Sequence, residues 1–165
     1  MRKIDLSPKK SILIVAGPTA SGKSRFALEL ASRFNGVVIN SDSMQVYHEL
    51  KIITARPSVE DEARLPHKLY GIISVKKTCS VGIWIDLAIK EIRGCWRNGH
   101  LPIVTGGTGL YIKALKEGLS QIPDIPNLYR NKAIEIRNKI GVDSFHRVLK
   151  KIDPKSAERI SPTDS

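Results

Sequence analysis

The chain has 165 residues, of which 41% are hydrophobic and 26% charged, and its formal net charge at pH 7 is +11. This length and composition fit one globular domain with a sizeable core. No stretch approaches the roughly 18 consecutive apolar residues of a membrane span, and the basic start lacks the apolar segment of a secretion signal. The expected compartment is therefore the cytoplasm, and the positive charge favours a polyanionic partner.

The first part of the chain alternates between short apolar runs and longer amphipathic segments. Residues 11–16 (SILIVA) predict a buried parallel strand, and residues 22–34 predict a helix that ends at an Asn-Gly pair. Residues 37–40 (VVIN) predict a second strand. Short β-branched runs of this kind are typical of strands that are covered on both faces.

The middle of the chain continues the alternation after an interruption. Residues 50–66 contain two prolines and an acidic cluster, and they predict an irregular stretch. Further elements are expected as a strand over 67–75, a helix over 81–98, a strand over 101–105 and a helix over 110–116. The order predicts an α/β fold, in which helices cover both faces of a parallel sheet.

The last part of the chain changes character after the proline-bearing segment 121–127 (QIPDIPN). From there the pattern predicts short helices with no strand between them. Asp143 and Asp153 suit N-cap positions, and Pro154 suits the first position of a helix. We therefore expect an incomplete α/β core over residues 1–120 and the start of a helical insertion over residues 121–165.

Residues 17–24 (GPTASGKS) follow the first strand and fit the pattern G-x-x-x-x-G-K-[ST]. Glycines let backbone N–H groups turn towards an anion, and the N-terminus of the next helix adds partial positive charge. Lys23 is suited to reach phosphate oxygens, and the hydroxyl of Ser24 is suited to ligate Mg²⁺. The loop predicts a phosphate site, but it does not choose among kinases, motors, switches and transferases.

Two more segments follow strands, and the carboxyl ends of parallel strands meet at one edge of a sheet. Asp42 follows the second strand as a proton acceptor, a water-mediated Mg²⁺ ligand or the N-cap of a helix near Ser43. Gln45 is either a partner for a base edge or a solvated side chain. In residues 105–109 (TGGTG), the glycines permit close approach, and Thr108 is a helix cap or a hydroxyl at the rim of the site.

The chain resembles the tRNA dimethylallyltransferase family, also called tRNA isopentenyltransferases, through six motifs. In chain order they are GPTASGKS, NSDSMQVY, TARPS, LPHKLYGI, VTGGTGLYIKAL and DPKSAERISPTD. The resemblance runs from Ile12 to Asp164. It implies a P-loop NTPase-like parallel sheet with a small helical insertion that grips the anticodon arm of tRNA.

The resemblance also implies an enzyme that transfers a dimethylallyl group from its diphosphate to N6 of an adenosine next to the anticodon. Asp42 would act as the base, and Thr108 would lie beside the reacting adenine. The implied cofactor is Mg²⁺, with Ser24 as a ligand. The implied partners are tRNA and dimethylallyl diphosphate, and we expect a monomer without membrane association.

The remaining roles follow from the same resemblance. The implied diphosphate-binding residues are Gly17, Pro18, Thr19, Ala20, Ser21, Gly22, Lys23, Ser24 and Arg56. The implied tRNA-binding residues are Asp42, Ser43, Met44, Gln45, Thr108 and Arg130. Arg56 replaces a lysine of many members, which keeps the charge but not the geometry.

The sequence departs from the family most at its end. Family members continue after SPTD with a long C-terminal region, whereas this sequence stops at Ser165. We therefore expect a truncated form whose activity is impaired by the truncation. One alternative is a small-molecule P-loop enzyme, such as a kinase or an isopentenyltransferase acting on free adenine nucleotides. Another is an RNA-binding remnant without turnover, which would bind tRNA with strong salt dependence.

Overall fold

The computed structural model describes residues 10–119 and 125–164, so most of the predicted boundary segment 121–127 lies outside the described residues. The chain divides into two compact units, Met1–Leu119 and Ser120–Ser165. Within the described ranges, no helix is both long and apolar enough to cross a bilayer.

The first unit is a four-stranded parallel sheet with helices. Its strands are ordered β1-β4-β2-β3, and every neighbouring pair is parallel. The predicted α/β class is therefore confirmed, and the carboxyl ends of β1, β2 and β4 share one edge. The elements are β1 (Leu13–Ala16), α1 (Lys23–Arg33), β2 (Gly36–Asn40), a 3₁₀ turn (His48–Leu50), α2 (Val59–Arg64), β3 (His67–Lys68), α3 (Val81–Arg97), β4 (Leu101–Gly106) and α4 (Gly109–Glu117).

Strand β2 is buried on both faces because its side chains alternate between two apolar clusters. Val37 and Ile39 belong to a cluster with Trp84 of α3. Val38 belongs to a second cluster, which includes Ala27 of α1. Side chains of a strand point alternately to the two faces, so these memberships place α1 and α3 on opposite sides of the sheet. The predicted two-sided cover is confirmed.

The sequence predicted an irregular stretch over residues 50–66, and this prediction is wrong in part, because the stretch contains helix α2. The hydroxyl of Ser58 accepts a hydrogen bond from the Asp61 N–H at 3.1 Å, and the Ser58 N–H donates to the Asp61 carboxylate at 3.3 Å. This reciprocal pair is a capping box. The acidic cluster lies in the first helical turn, where negative charge is favourable.

The third strand is much shorter than the predicted range 67–75. It ends at Lys68, and Leu69 (φ 64°) and Gly71 (φ 56°) then adopt left-handed backbone conformations. A left-handed residue cannot continue an extended strand. The N–H groups of Gly71 and Ile72 then donate to the carbonyls of Gln45 and Val46, and Ile73 forms an isolated parallel bridge with Tyr47.

The second unit contains three described helices, α5 (Asn127–Ile140), α6 (Val142–Ile152) and α7 (Pro154–Arg159). Asp153 caps α7 as predicted, because its carboxylate accepts a hydrogen bond from the Ser156 N–H at 3.1 Å. The predicted N-cap at Asp143 is wrong. Gly141 occupies that position, and Asp143 lies in the first turn of α6, where its charge still suits the helix dipole.

Candidate active site

The loop between β1 and α1 is shaped by two left-handed residues. Ala20 has φ 62° and Gly22 has φ 81°. Gly22 is the N-cap of α1 and offers no side chain to the first N–H groups of the helix, which have no acceptor inside it. The ammonium group of Lys23 bends back and donates to the carbonyl of Pro18 at 3.0 Å. This arrangement of N–H groups, a helix N-terminus and an ammonium group suits an anion.

Asp42 begins a tight turn after β2. Its carboxylate accepts a hydrogen bond from the Met44 N–H at 2.9 Å. No helix starts near Ser43, so the alternative that made Asp42 a helix cap is wrong. The bond is instead an Asx turn, which fixes the direction of the carboxylate.

Thr108 links the segment after β4 to the segment after β2. Its hydroxyl accepts a hydrogen bond from the Ser43 N–H at 2.9 Å and lies 3.3 Å from the Ser43 hydroxyl. Thr108 occupies the N-cap position of α4, but its side chain makes no capping bond. The two segments that the sequence placed at one sheet edge are therefore joined directly.

The surroundings of Gly106 explain why one position of the segment TGGTG is a glycine. A Cβ at this position would lie 2.6 Å from the carbonyl oxygen of Ser41 and 2.6 Å from its hydroxyl. Real Cβ atoms do not approach backbone so closely. The glycine is needed here for close approach of another backbone segment rather than of a ligand.

A cavity of about 430 Å³ lies at the carboxyl edge of the sheet. It brings the phosphate loop, through Thr19–Ser24, together with Asp42 and Gln45. The other candidates in this unit do not line it, and they are Gly17, Pro18, Ser43, Met44, Arg56 and Thr108. Arg130 is an exposed residue of α5 in the second unit.

Arg56 is mostly buried beside this cavity, with 11% of its side chain exposed. Its guanidinium lies 4.0 Å from the carboxylate of Glu62 and is packed so closely on Gly71 that a Cβ there would collide with it. The guanidinium thus holds the segment after β3 against α2. Its contact with a diphosphate stays a prediction.

The motifs did not single out Tyr70, which also lines the cavity. Burial raises the pKa of the Tyr70 phenol above its usual range, and the negative charge of Asp42 raises this pKa further. The phenol is therefore a neutral hydrogen-bond donor at physiological pH. Tyr70 lies within the motif LPHKLYGI, but the predicted strand over residues 67–75 gave no reason to place its side chain at the cavity.

Two more polar residues line the cavity. The sequence predicted a different role for Gln45 and no role for Thr105. The side-chain amide of Gln45 donates to the carbonyl of Thr54 at 2.7 Å, so it holds the loop after the 3₁₀ turn. Thr105 is 4% exposed, and its hydroxyl has no hydrogen-bond partner within the described residues. No group of three or more His, Cys, Asp or Glu side chains suited to a metal occurs in the described part of the chain.

The parallel sheet, the phosphate loop and the adjoining cavity define a P-loop α/β protein. Residues 45–165 match the family model described as IPP transferase, and residues 10–72 match the model described as isopentenyl transferase. The chain therefore belongs to the IPP transferase family, as its motifs had indicated.

Individual relatives agree with this assignment. The chain is 50% identical over 154 residues to the tRNA dimethylallyltransferase of Rhodospirillum rubrum, covering 93% of the chain and 47% of the relative. It is 46% identical to that of Rhodospirillum centenum, covering 94% of the chain and 50% of the relative. The chain thus spans about half the length of the curated relatives it matches.

Solved structures give the same result. One is the full-length tRNA isopentenylpyrophosphate transferase of Bacillus halodurans, with 39% identity, a TM-score of 0.65, and coverage of 94% of this chain and 52% of that one. Another is a eukaryotic dimethylallyltransferase acting on tRNA, with 31% identity, a TM-score of 0.77, and coverage of 93% and 38%. The P-loop NTPase-like fold is confirmed.

Proposed function

We propose that the protein transfers a dimethylallyl group from dimethylallyl diphosphate to N6 of an adenosine next to the anticodon of tRNA. The observation that supports this most is the cavity that joins the phosphate loop to Asp42. A prenyl diphosphate and an adenine must meet in such a space, because one supplies an anionic leaving group and the other a proton to be removed.

The reaction balances with the groups present on the two sides of this cavity. The N6 nitrogen attacks C1 of the dimethylallyl group, and the bond from C1 to the diphosphate oxygen breaks. The diphosphate leaves with the electron pair, and the carboxylate of Asp42 accepts the proton from N6. Lys23 and the N–H groups of the loop stabilise the negative charge that develops on the leaving oxygen.

The residues present fit a bound Mg²⁺ ion. Ser24 lines the cavity within the phosphate loop, and its hydroxyl offers an oxygen ligand of the kind that Mg²⁺ takes alongside substrate phosphates and water. When bound, the ion would supply further charge neutralisation for the diphosphate. The contribution of this chain is to hold that hydroxyl at the start of α1, beside the phosphate site.

The helical unit supplies the proposed surface for the anticodon arm. Arg130 and Lys132 are exposed near the start of α5, and basic residues recur along the same helix at Arg137 and Lys139. Basic side chains of this kind contact phosphates and orient a nucleic acid without reading its sequence. The adenine must leave its stack to reach the cavity, as in other base-modifying enzymes. Since tRNA is the substrate, we propose the cytoplasm as the compartment.

The test is to incubate the 165-residue chain with dimethylallyl diphosphate, Mg²⁺ and unmodified tRNA, and to analyse the digested tRNA by mass spectrometry. The expected product is adenosine enlarged by one dimethylallyl group at N6, only when all three additions are present. Lys23→Ala should reduce the rate strongly, and Lys90→Ala, an exposed lysine of α3, is the matched control. Modified AMP without any modified tRNA would contradict the proposal.

A further inference from the structure

Asn40 is the last residue of β2 and is 0% exposed. A buried amide side chain is costly unless its hydrogen bonds are made inside the protein. The side-chain oxygen of Asn40 accepts from the Asp42 N–H at 2.8 Å. Its NH₂ group donates to the carbonyl of Asp42 at 3.0 Å and to the carbonyl of Leu69 at 3.1 Å. The amide therefore uses both of its N–H donors and its oxygen on two separate segments.

The first of these segments is the backbone of Asp42. One side chain holds the N–H and the carbonyl of the same residue, so the peptide groups on both sides of its Cα are fixed. The carboxylate is then oriented by its bond from the Met44 N–H. Asn40 thus fixes the Asp42 backbone, and the Asx turn then directs the Asp42 carboxylate from that fixed backbone.

The second segment carries Tyr70. Leu69 precedes it in a left-handed conformation that leucine rarely adopts, so an external bond is needed to hold it. The bond from Asn40 to the Leu69 carbonyl supplies that restraint. Asp42 and Tyr70 both line the cavity. The buried amide of Asn40 bonds to the backbone of Asp42 and to the backbone of Leu69, the residue before Tyr70.

We propose that Asn40 is a positioning residue for the transfer reaction and acts through Asp42. The inference rests on the proposed function, since it assigns the proton acceptor to Asp42. If the role of Asn40 were purely structural, loss of its amide would lower the stability of the protein and nothing else. Positioning further requires that loss of the amide misdirects the carboxylate, and a small misplacement of a reacting group costs about 100-fold in rate.

Trp84→Phe is the matched control. The indole N–H of Trp84 donates to the backbone carbonyl of Asn40 at 2.9 Å, so this variant removes a buried hydrogen bond at the same residue without touching its side chain. Asn40→Ala should lower kcat about 100-fold and change the KM for dimethylallyl diphosphate by less than about twofold. Trp84→Phe should be destabilised and keep kcat within about twofold.

Two further variants separate positioning from stability. Asn40→Ser keeps an acceptor for the Asp42 N–H and should recover part of kcat. In the Asp42→Asn background, Asn40→Ala should cause little additional loss. Equal losses of kcat with and without Asp42 would overturn the proposal.

A measurement without turnover distinguishes this proposal from the proposed function. Amide hydrogen exchange at Met44, followed by NMR, reports the Asx turn directly. It should accelerate about tenfold in Asn40→Ala, or in Asn40→Ser if the alanine variant does not fold, and not in Trp84→Phe. If the wild-type chain transfers no prenyl group, this exchange still decides whether Asn40 orients Asp42. Equal exchange in all variants would overturn the positioning role.

Discussion

The two walls of the cavity are built in different ways. The phosphate-loop wall is a continuous stretch, Thr19–Ser24, whose shape comes from local backbone conformation at Ala20 and Gly22. The opposite wall joins distant segments through side chains, as in the bonds from Asn40 to Leu69 and from Ser43 to Thr108. The first wall offers main-chain groups to an anion, whereas the second depends on each hydrogen bond that holds its segments together.

The largest expected effect comes from a change in the side-chain wall, which should slow the transfer without weakening diphosphate binding at the phosphate-loop wall. Asp42→Asn should lower kcat about 1,000-fold, because the amide cannot accept the N6 proton. The affinity for inorganic diphosphate should stay nearly unchanged, since the loop wall is intact. Steady-state kinetics and calorimetric titration measure the two quantities.

The control for this variant is Asp86→Asn, which neutralises an exposed aspartate of α3. It should leave both kcat and diphosphate affinity unaltered. If Asp42→Asn weakened diphosphate binding as much as it slowed transfer, the division of labour between the walls would be wrong.

The second effect is on stability and compares one glycine from each wall. Gly106→Ala should lower the free energy of unfolding by about 3 kcal/mol, because the new methyl group meets the Ser41 backbone. Gly22→Ala should cost only about 1 kcal/mol, because its Cβ meets nothing within 4 Å and the cost comes from the left-handed φ alone. Urea denaturation of both variants measures the difference, and an equal cost would contradict it.

The smallest effect concerns Tyr70, which belongs to the side-chain wall. The pKa of its phenol is raised in the folded protein, chiefly by burial. The folded state therefore holds the proton more tightly than the unfolded state, and this contribution to stability is complete below about pH 10 and lost as pH rises further. Tyr70→Phe should reduce the loss of stability between pH 9 and pH 11, which denaturation curves at several pH values would show.

Tyr111 provides the comparison for that experiment. Burial also raises the pKa of its phenol, and the carbonyl of Cys79 accepts its hydrogen bond at 3.2 Å. Tyr111→Phe should therefore reduce the alkaline loss as well. A Tyr70→Phe curve parallel to that of the wild type would show that Tyr70 keeps its ordinary pKa.

The sequence predicted the loop wall well because its signals are local. A strand, a glycine-rich turn and a helix start lie within a few residues of one another, and the parallel sheet then placed Asp42 at the same edge. It missed the length of β3 and the position of Tyr70, because nothing near Leu69 signals a left-handed leucine held by Asn40. It missed α2 because the prolines on either side of the acidic cluster indicated an irregular stretch, and the capping box was not recognised.

The alternation of β2 between two apolar clusters has a consequence for how this protein can vary. Because neighbouring side chains point to opposite faces, inserting or deleting one residue within Gly36–Asn40 would exchange the faces for every residue beyond that point. Asn40 would then lose its bonds at the same moment as the core lost its packing. Length changes among natural relatives should therefore avoid this strand and fall in exposed connections, where neither packing nor chemistry depends on the residue count.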